Sequence, residues 1–306
     1  CARLRSSCAV VAVQRCKSPG GRRTLAGPPA AAAGASPMPA VPDDMPMAAE
    51  GGPSLVDKLR GLLFFLWSIV LAIPLFVSML VMSPFVLMLD KYRRLAQHFV
   101  NNIWAKLSTS LFYPVEVIGR ENLPPSDRPV VYVANHQSFL DIFSLFHLDR
   151  PFKFISKASI FYIPIVGWSM FMTGHVMLNR MDRRSQLECL KQCRELLAQG
   201  APVLFFPEGT RSKDCMLRGF KKGAFSVAVK AGVDVVPITL LGTGACMPSG
   251  EESSLRAGRV RIVVHAPIPT KGVSADEASR RARAAIAASM PQALVGDAGD
   301  VSSGED

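Results

Sequence analysis

The chain contains no Cys-x-x-Cys pair, and its seven cysteines form neither an even nor a regularly spaced set. Cys1, Cys8 and Cys16 lie near the start, Cys189 and Cys193 are one helical turn apart, and Cys215 and Cys246 stand alone. This scatter excludes a disulfide framework and fits a reducing compartment. A zinc site would need two more soft ligands beside Cys189 and Cys193, and none is evident, so the pair reads as filler on a helix face. Zinc-finger spacing, an RNP signature and basic-aromatic interleaving are also missing, as are internal repeats. Nucleic acid is therefore the weakest candidate partner, although the net charge is +11 and the pI near 9.6. A membrane surface or phosphorylated substrates suit that charge better.

Two further absences divide the chain. Residues 1–42 hold no acidic side chain, while Arg3, Arg5, Arg15, Lys17, Arg22 and Arg23 are basic and the remainder is rich in Ala, Ser, Gly and Pro. Such a stretch cannot bury a core and reads as an organelle transit peptide, chloroplast rather than mitochondrial on its bias. The first residue is not methionine, which suggests a start inside a longer precursor. Residues 61–89 hold no charge of either sign, between Lys58 and Arg60 on one side and Asp90, Lys91, Arg93 and Arg94 on the other. As straight helix this run is roughly 44 Å long, against the ~30 Å of a hydrocarbon layer. Pro74 and Pro84 predict either a kinked span or two short helices within one leaflet, and the basic flanks favour the latter. A hydrophobic content of 49% and a mean hydropathy of +0.24 agree with membrane attachment.

Beyond residue 92 apolar runs alternate with helical patterns. Strands are predicted at 115–118, 130–133, 152–155, 176–178, 202–206, 235–240 and 260–265, and helices at 139–148, 185–199, 221–231 and 275–290. Ser185 with Glu188, and Ser274 with Glu277, read as helix-capping pairs. The alternation predicts an α/β domain with a largely parallel central sheet flanked by helices, preceded by an apolar membrane-associated helical segment. The expected organisation is a transit peptide (1–44), a linker (45–57), a membrane-associated helical segment (58–110), a catalytic domain (111–292) and a disordered acidic tail (293–306).

The chemistry is expected at two polar breaks after apolar strands, where open α/β sheets carry their sites. The first is Asn135-His136-Gln137-Ser138-Phe139-Leu140-Asp141. On one helix, residues five apart point about 140° away from each other, so His136 and Asp141 cooperate only if the helix begins between them. Ser138 is a good N-cap, which places Asp141 in the first turn and leaves His136 in the loop ahead. The carboxylate then fixes the imidazole tautomer, an arrangement suited to a general base. The second break is Phe206-Pro207-Glu208-Gly209-Thr210-Arg211-Ser212. Here Gly209 permits a tight turn, Arg211 can fork onto phosphate and Glu208 can accept hydrogen bonds from substrate hydroxyls. Lys157 and Arg180 close strands nearby and, with Lys221 and Lys222, would make an anion pocket.

Taken in order, Asn135-His136-x-x-x-x-Asp141, Arg180 after its strand, Phe206-Pro207-Glu208-Gly209-Thr210-Arg211 and Val236-Pro237-Ile238 resemble the glycerolipid acyltransferases, specifically the 1-acyl-glycerol-3-phosphate acyltransferases. The resemblance covers about half the chain. Val176-Met177-Leu178-Asn179 before Arg180 departs from the Phe and Ile or Val common in the family. The resemblance implies that His136 is the base and Asp141 its partner. It implies that Arg180, Glu208, Gly209, Thr210 and Arg211 bind the acceptor's phosphate and glycerol, with Lys157 a further phosphate contact. It also implies acyl transfer from an acyl thioester, on acyl carrier protein or CoA, to lysophosphatidate at a bilayer, with no metal, no cofactor and no nucleic-acid partner. The expected place is a plastid envelope membrane, with the endoplasmic reticulum membrane as the alternative. Acylation of glycerol 3-phosphate or another lysophospholipid is a near alternative, and a non-catalytic protein binding anionic lipid is one of another class. The apolar region 160–172 is the candidate wall for an acyl-chain tunnel.

Overall fold

The computed structural model describes residues 51–297. The expected transit peptide, the start of the linker and the last nine residues of the acidic tail lie outside the described residues. Seven strands form one sheet in the order β1-β7-β6-β2-β5-β3-β4: β1 (Val115–Ile118), β2 (Val131–Ala134), β3 (Lys153–Lys157), β4 (Val176–Leu178), β5 (Val203–Phe205), β6 (Val235–Leu241) and β7 (Val260–Val264). β6, β2, β5, β3 and β4 are mutually parallel. β7 runs antiparallel to β6, and β1 pairs parallel with β7. The expected largely parallel sheet thus has a reversed two-strand margin.

Side-chain alternation explains why both faces are covered. In β2, Tyr132 and Ala134 enter a core with Phe143, Phe152, Leu204 and Ile238, whereas Val131 and Val133 enter another with Val203, Phe225, Cys193 and Ile286. The first core lies against α2 (Leu95–Ser110) and α3 (Leu140–Leu145). The second is closed by α5 (Arg183–Ala198), α6 (Gly223–Ala231) and α8 (Ala275–Ala288). Cys189 and Cys193 are both buried in α5 as packing residues.

The N-terminal apolar segment is one helix, α1 (Leu55–Leu89), continuous through Pro74 and Pro84. This corrects the expected pair of short helices. Each proline removes one donor and frees one carbonyl, and an apolar helix tolerates that loss when neighbouring groups re-satisfy its backbone. The helix also begins inside the expected linker, because Ser54 and Asp57 form a reciprocal capping box that was not foreseen. Its first turns belong to the domain core. Phe64 is fully buried, with ring centroids 5.4 Å from Phe112 and 5.1 Å from Phe143. The indoles of Trp67 and Trp104 tie α1 to α2 through the carbonyls of Leu107 and Ser68. Helix α2 in turn buries Gln97, His98, Asn101 and Asn102, so it packs on the catalytic domain rather than standing wholly in lipid.

Three smaller expectations are corrected. Helix α5 starts at Arg183, with Asp182 accepting from the Arg184 N–H; Ser185 lies inside it and accepts from the Asn179 N–H. A 3-10 turn over Ala158–Tyr162 and α4 (Val166–Thr173) fill a stretch given no element beforehand. Residues 293–297 are not a free tail. Val295 bridges to Leu217, and the Arg283 guanidinium donates to the carbonyls of Gly296 and Leu217.

Candidate active site

Both polar breaks lie at the C-terminal ends of adjacent parallel strands. β2 ends in Ala134, and the next side chain, Asn135, is locked into β6 by accepting from the Leu240 N–H and donating to the Leu240 carbonyl, at 2.7 and 2.9 Å. That clamp fixes the loop from which His136 projects. Helix α3 begins at Leu140 with Phe139, rather than the expected Ser138, at its N-cap position; Ser138 Oγ still accepts the Leu140 N–H at 3.1 Å. Ser138 Oγ also donates to the Met247 carbonyl at 2.6 Å.

Asp141 is fully buried. Its Oδ2 lies 2.8 Å from His136 Nδ1 and accepts the backbone N–H groups of Gln137 and Ser138 at 2.7 and 3.0 Å. With the carboxylate held at Nδ1, that nitrogen carries the proton and Nε2 is left as the basic one. Nε2 makes no hydrogen bond among the described residues. The imidazole lies flat on Phe206, centroids 3.9 Å apart and planes 14° from parallel. An aromatic face behind the ring restrains its rotation and favours a positive charge on it.

The second break docks onto the first. Glu208, at the end of β5, is 1% exposed; its Oε1 accepts the His136 N–H at 2.8 Å and its Oε2 the Arg218 N–H at 3.1 Å. Burial, opposed by those two hydrogen bonds and reinforced by the Asp141 charge, pushes its pKa up to about 7. Glu208 is thus placed to fix loops, and both of its oxygens already accept from backbone. The Ser212 N–H donates to the His136 carbonyl at 2.8 Å, and the Ser212 hydroxyl turns away to Asp214. Gly209 has φ +86°, and a β-carbon there would lie 2.7 Å from Lys221 Nζ. The positive φ is what favours glycine at position 209, and the Lys221 ammonium sits directly against the turn.

Cations collect on the same edge. Lys157 is the last residue of β3, and Arg180 follows β4 by two residues. Arg211 is exposed and paired with Glu252 at 2.7 Å. The Arg180 pKa is lowered by partial burial and by the charge of Arg211, which places the two guanidinium groups within electrostatic reach of each other. Among the described residues no carboxylate pairs with Arg180, Lys157 or Lys221. The structure therefore joins His136, Asp141 and Glu208 directly, sets Lys221 against Gly209, and puts Arg180 within electrostatic reach of Arg211. Sequence reasoning left out Phe206 as the platform under the imidazole, and named Lys221 only as part of a basic surround. In hindsight Phe206 was signalled by its place inside the second break. Between α1, α4, β4 and α5 an apolar cleft of about 850 Å³ opens, lined by Phe76, Leu80, Phe161, Trp168, Phe171 and Met177 among others.

The sequence profile of the Acyltransferase family matches residues 114–241. A 1-acyl-sn-glycerol-3-phosphate acyltransferase of Chlamydomonas reinhardtii is 68% identical over 251 residues, covering 82% of this chain and 75% of that protein. The chain belongs to the 1-acyl-sn-glycerol-3-phosphate acyltransferase family. This acyltransferase is also 55% identical to a chloroplastic relative of Arabidopsis thaliana over 236 residues, covering 77% of this chain and 66% of that one. Its fold is shared with the crystal structure of the lysophosphatidate acyltransferase PlsC of Thermotoga maritima. That match has a TM-score of 0.63 and 32% identity, and covers 75% of the acyltransferase and 94% of PlsC.

Proposed function

We propose that this acyltransferase moves an acyl group from an acyl thioester, carried by acyl carrier protein or CoA, to the sn-2 hydroxyl of 1-acyl-sn-glycerol 3-phosphate. The products are phosphatidate and a free thiol. The reading is carried by one observation: the 2.8 Å contact of His136 Nδ1 with a fully buried Asp141, at a sheet edge that also carries Lys157, Arg180 and Lys221, which have no carboxylate partner among the described residues. His136 Nε2 takes the hydroxyl proton as that oxygen attacks the thioester carbonyl. The tetrahedral intermediate then collapses, the carbon–sulfur bond breaks, and the imidazolium returns the proton to the departing thiolate. Asp141 holds the tautomer and balances the imidazolium charge.

Arg180 and Arg211 grip the acceptor phosphate, with Lys157 and the Gly209–Thr210 turn completing its seat. Gripping the phosphate makes a bimolecular attack an oriented one. Glu208 acts by bracing the His136 loop. The apolar cleft receives an acyl chain, and within 160–172 the residues that line it are Phe161, Tyr162, Trp168, Phe171 and Met172. The chloroplastic relatives and the acid-free residues 1–42 support a plastid address, in the envelope membrane. The direct test incubates membranes carrying the protein with labelled acyl thioester and lysophosphatidate. Phosphatidate formation abolished by His136→Ala is expected. Equal product from wild type and variant, or product only from glycerol 3-phosphate, would refute the reading.

A further inference from the structure

Residues 158–173 contain no charged side chain, yet the segment is not a core element. Tyr162 is 79% exposed, Phe171 75% and Trp168 53%, and Ile163 and Val166 are exposed beside them. A soluble surface seldom carries so many large apolar side chains together. The segment is nevertheless held firmly in place. A β-carbon at Gly167 would fall 2.2 Å from the Phe161 carbonyl oxygen, so only glycine lets α4 fold back on the preceding turn. The C-terminal carbonyls of α4 are capped by the Arg94 guanidinium, at Phe171 and Met172, and by Lys153 Nζ, at Thr173. The aromatic surface is therefore a fixed feature of the fold.

The segment is also continuous with α1. The rings of Trp168 and Phe76 lie 6.0 Å apart, and Ser169 Oγ reaches Met79 Sδ at 3.4 Å. Phe76 and Met79 lie in the apolar run of α1, where Ile73, Val77, Leu80 and Val81 face outward. Trp67 and Trp104 spend their indole N–H groups on backbone carbonyls, whereas that of Trp168 makes no hydrogen bond among the described residues. Tyrosine and tryptophan with an apolar body and a free polar tip favour the boundary between lipid tails and headgroups. Lys157 precedes the segment and Arg180, Arg183 and Arg184 follow it, which suits an anionic headgroup layer.

We infer that the 158–173 segment is a second membrane-contacting element, seated with α1 in the same leaflet, so that the cleft between them opens into lipid. Its occupant is the bilayer. Through the cleft's role the inference rests on the proposed acyl transfer, but its spectroscopic test does not. The chain has three tryptophans, so Trp67→Phe with Trp104→Phe leaves Trp168 as the only emitter. In vesicles of anionic lipid, acyl chains brominated near the headgroup should quench most of its emission relative to unbrominated vesicles. Unquenched Trp168 overturns the inference, whether its emission is that of a ring in water or shifts to the blue with protein concentration, as a ring covered by a second copy would.

As a check that keeps all three tryptophans, Ile163→Asp with Val166→Asp alters two residues that do not line the cleft. The apparent KM for long-chain lysophosphatidate in vesicles should rise about tenfold or more, equivalent to ~1.4 kcal/mol. Turnover of a short-chain, water-soluble lysophosphatidate should be unchanged. An equal loss on both acceptors would overturn the inference. Quenching of Trp168 in a protein that made no phosphatidate would support the membrane seat and count against the proposed reaction alone.

Discussion

Glutamine at position 208 removes the one exchangeable proton of that side chain while keeping its shape. In the native protein the Glu208 pKa is pushed from 4.5 to about 7, because burial outweighs the two backbone N–H groups it accepts. A carboxyl whose pKa is raised on folding contributes stability that is complete below its unfolded pKa and lost as pH climbs through the folded one. The loss should therefore fall between about pH 4.5 and pH 7. At ~1.4 kcal/mol per unit, that interval corresponds to about 3 kcal/mol. For a domain of this size this is ~6–12 °C in Tm. Other groups titrate in the same range with the opposite sign. Burial lowers the pKa of His98 to about 3 and those of His147 and His265 to about 4, so each makes folding more favourable as pH rises through the usual histidine range. Those groups are present in both proteins and cancel on subtraction. The glutamine amide also points a donor at one of two backbone N–H groups, an offset of about 1–3 kcal/mol that does not change with pH. Thermal unfolding of wild type and Glu208→Gln in one detergent, from pH 4 to 8.5, should show wild type ahead at low pH and that lead vanishing by pH 8. Parallel curves across the range would refute the assignment of a proton to Glu208 and the reasoning built on its burial.

Three other substitutions test separate parts of the site and scaffold. Asp141→Asn can leave its oxygen where Oδ2 accepts three donors and set its amide where Oδ1 makes no hydrogen bond, so the loss is mainly of charge. kcat should fall ~10²–10⁴-fold with the acceptor KM little changed, and a steady-state titration showing full kcat would discard the dyad. Arg180→Ala removes a guanidinium that has no protein carboxylate partner among the described residues. The acceptor KM should rise roughly 10–100-fold, the worth of a hydrogen bond to a charged group, while the donor KM stays put; equal shifts in both would argue against a phosphate contact. Phe64→Ala, on α1 but wholly buried against Phe112 and Phe143, should cost about 3–5 kcal/mol in thermal unfolding. An unchanged Tm would mean that α1 is only an anchor.

The parallel sheet and the two polar breaks were legible because each rests on local chemistry. Apolar runs buried on both faces are unbroken in sequence, as Val131 to Ala134 are, and a polar break after such a run falls at a strand end by construction. The pairing of His136 with Asp141 needed only a helix start between them, and Ser138 signalled one, although the helix begins at Leu140 with Phe139 at the N-cap. What escaped the sequence depends on partners far along the chain. Glu208 was expected as a substrate contact, and its bracing role went unforeseen because that role needs backbone donors from elsewhere in the chain. The fold supplies two, the backbone N–H groups of His136 and Arg218, only when β5 lies beside β2.

The same logic separates the two errors over helices. Prolines at 74 and 84 predicted breaks because a proline's missing donor is a local fact. Whether the freed carbonyls are tolerated depends on what surrounds the helix, and α1 runs through both. Ser185 and Glu188 had capping spacing, but Asp182 sits three residues earlier, with its carboxylate on the Arg184 N–H, and takes the role first. In both cases a correct rule was applied at the wrong range. Spacing along the chain identifies which groups can satisfy a backbone donor, and only the assembled sheet decides which of them does.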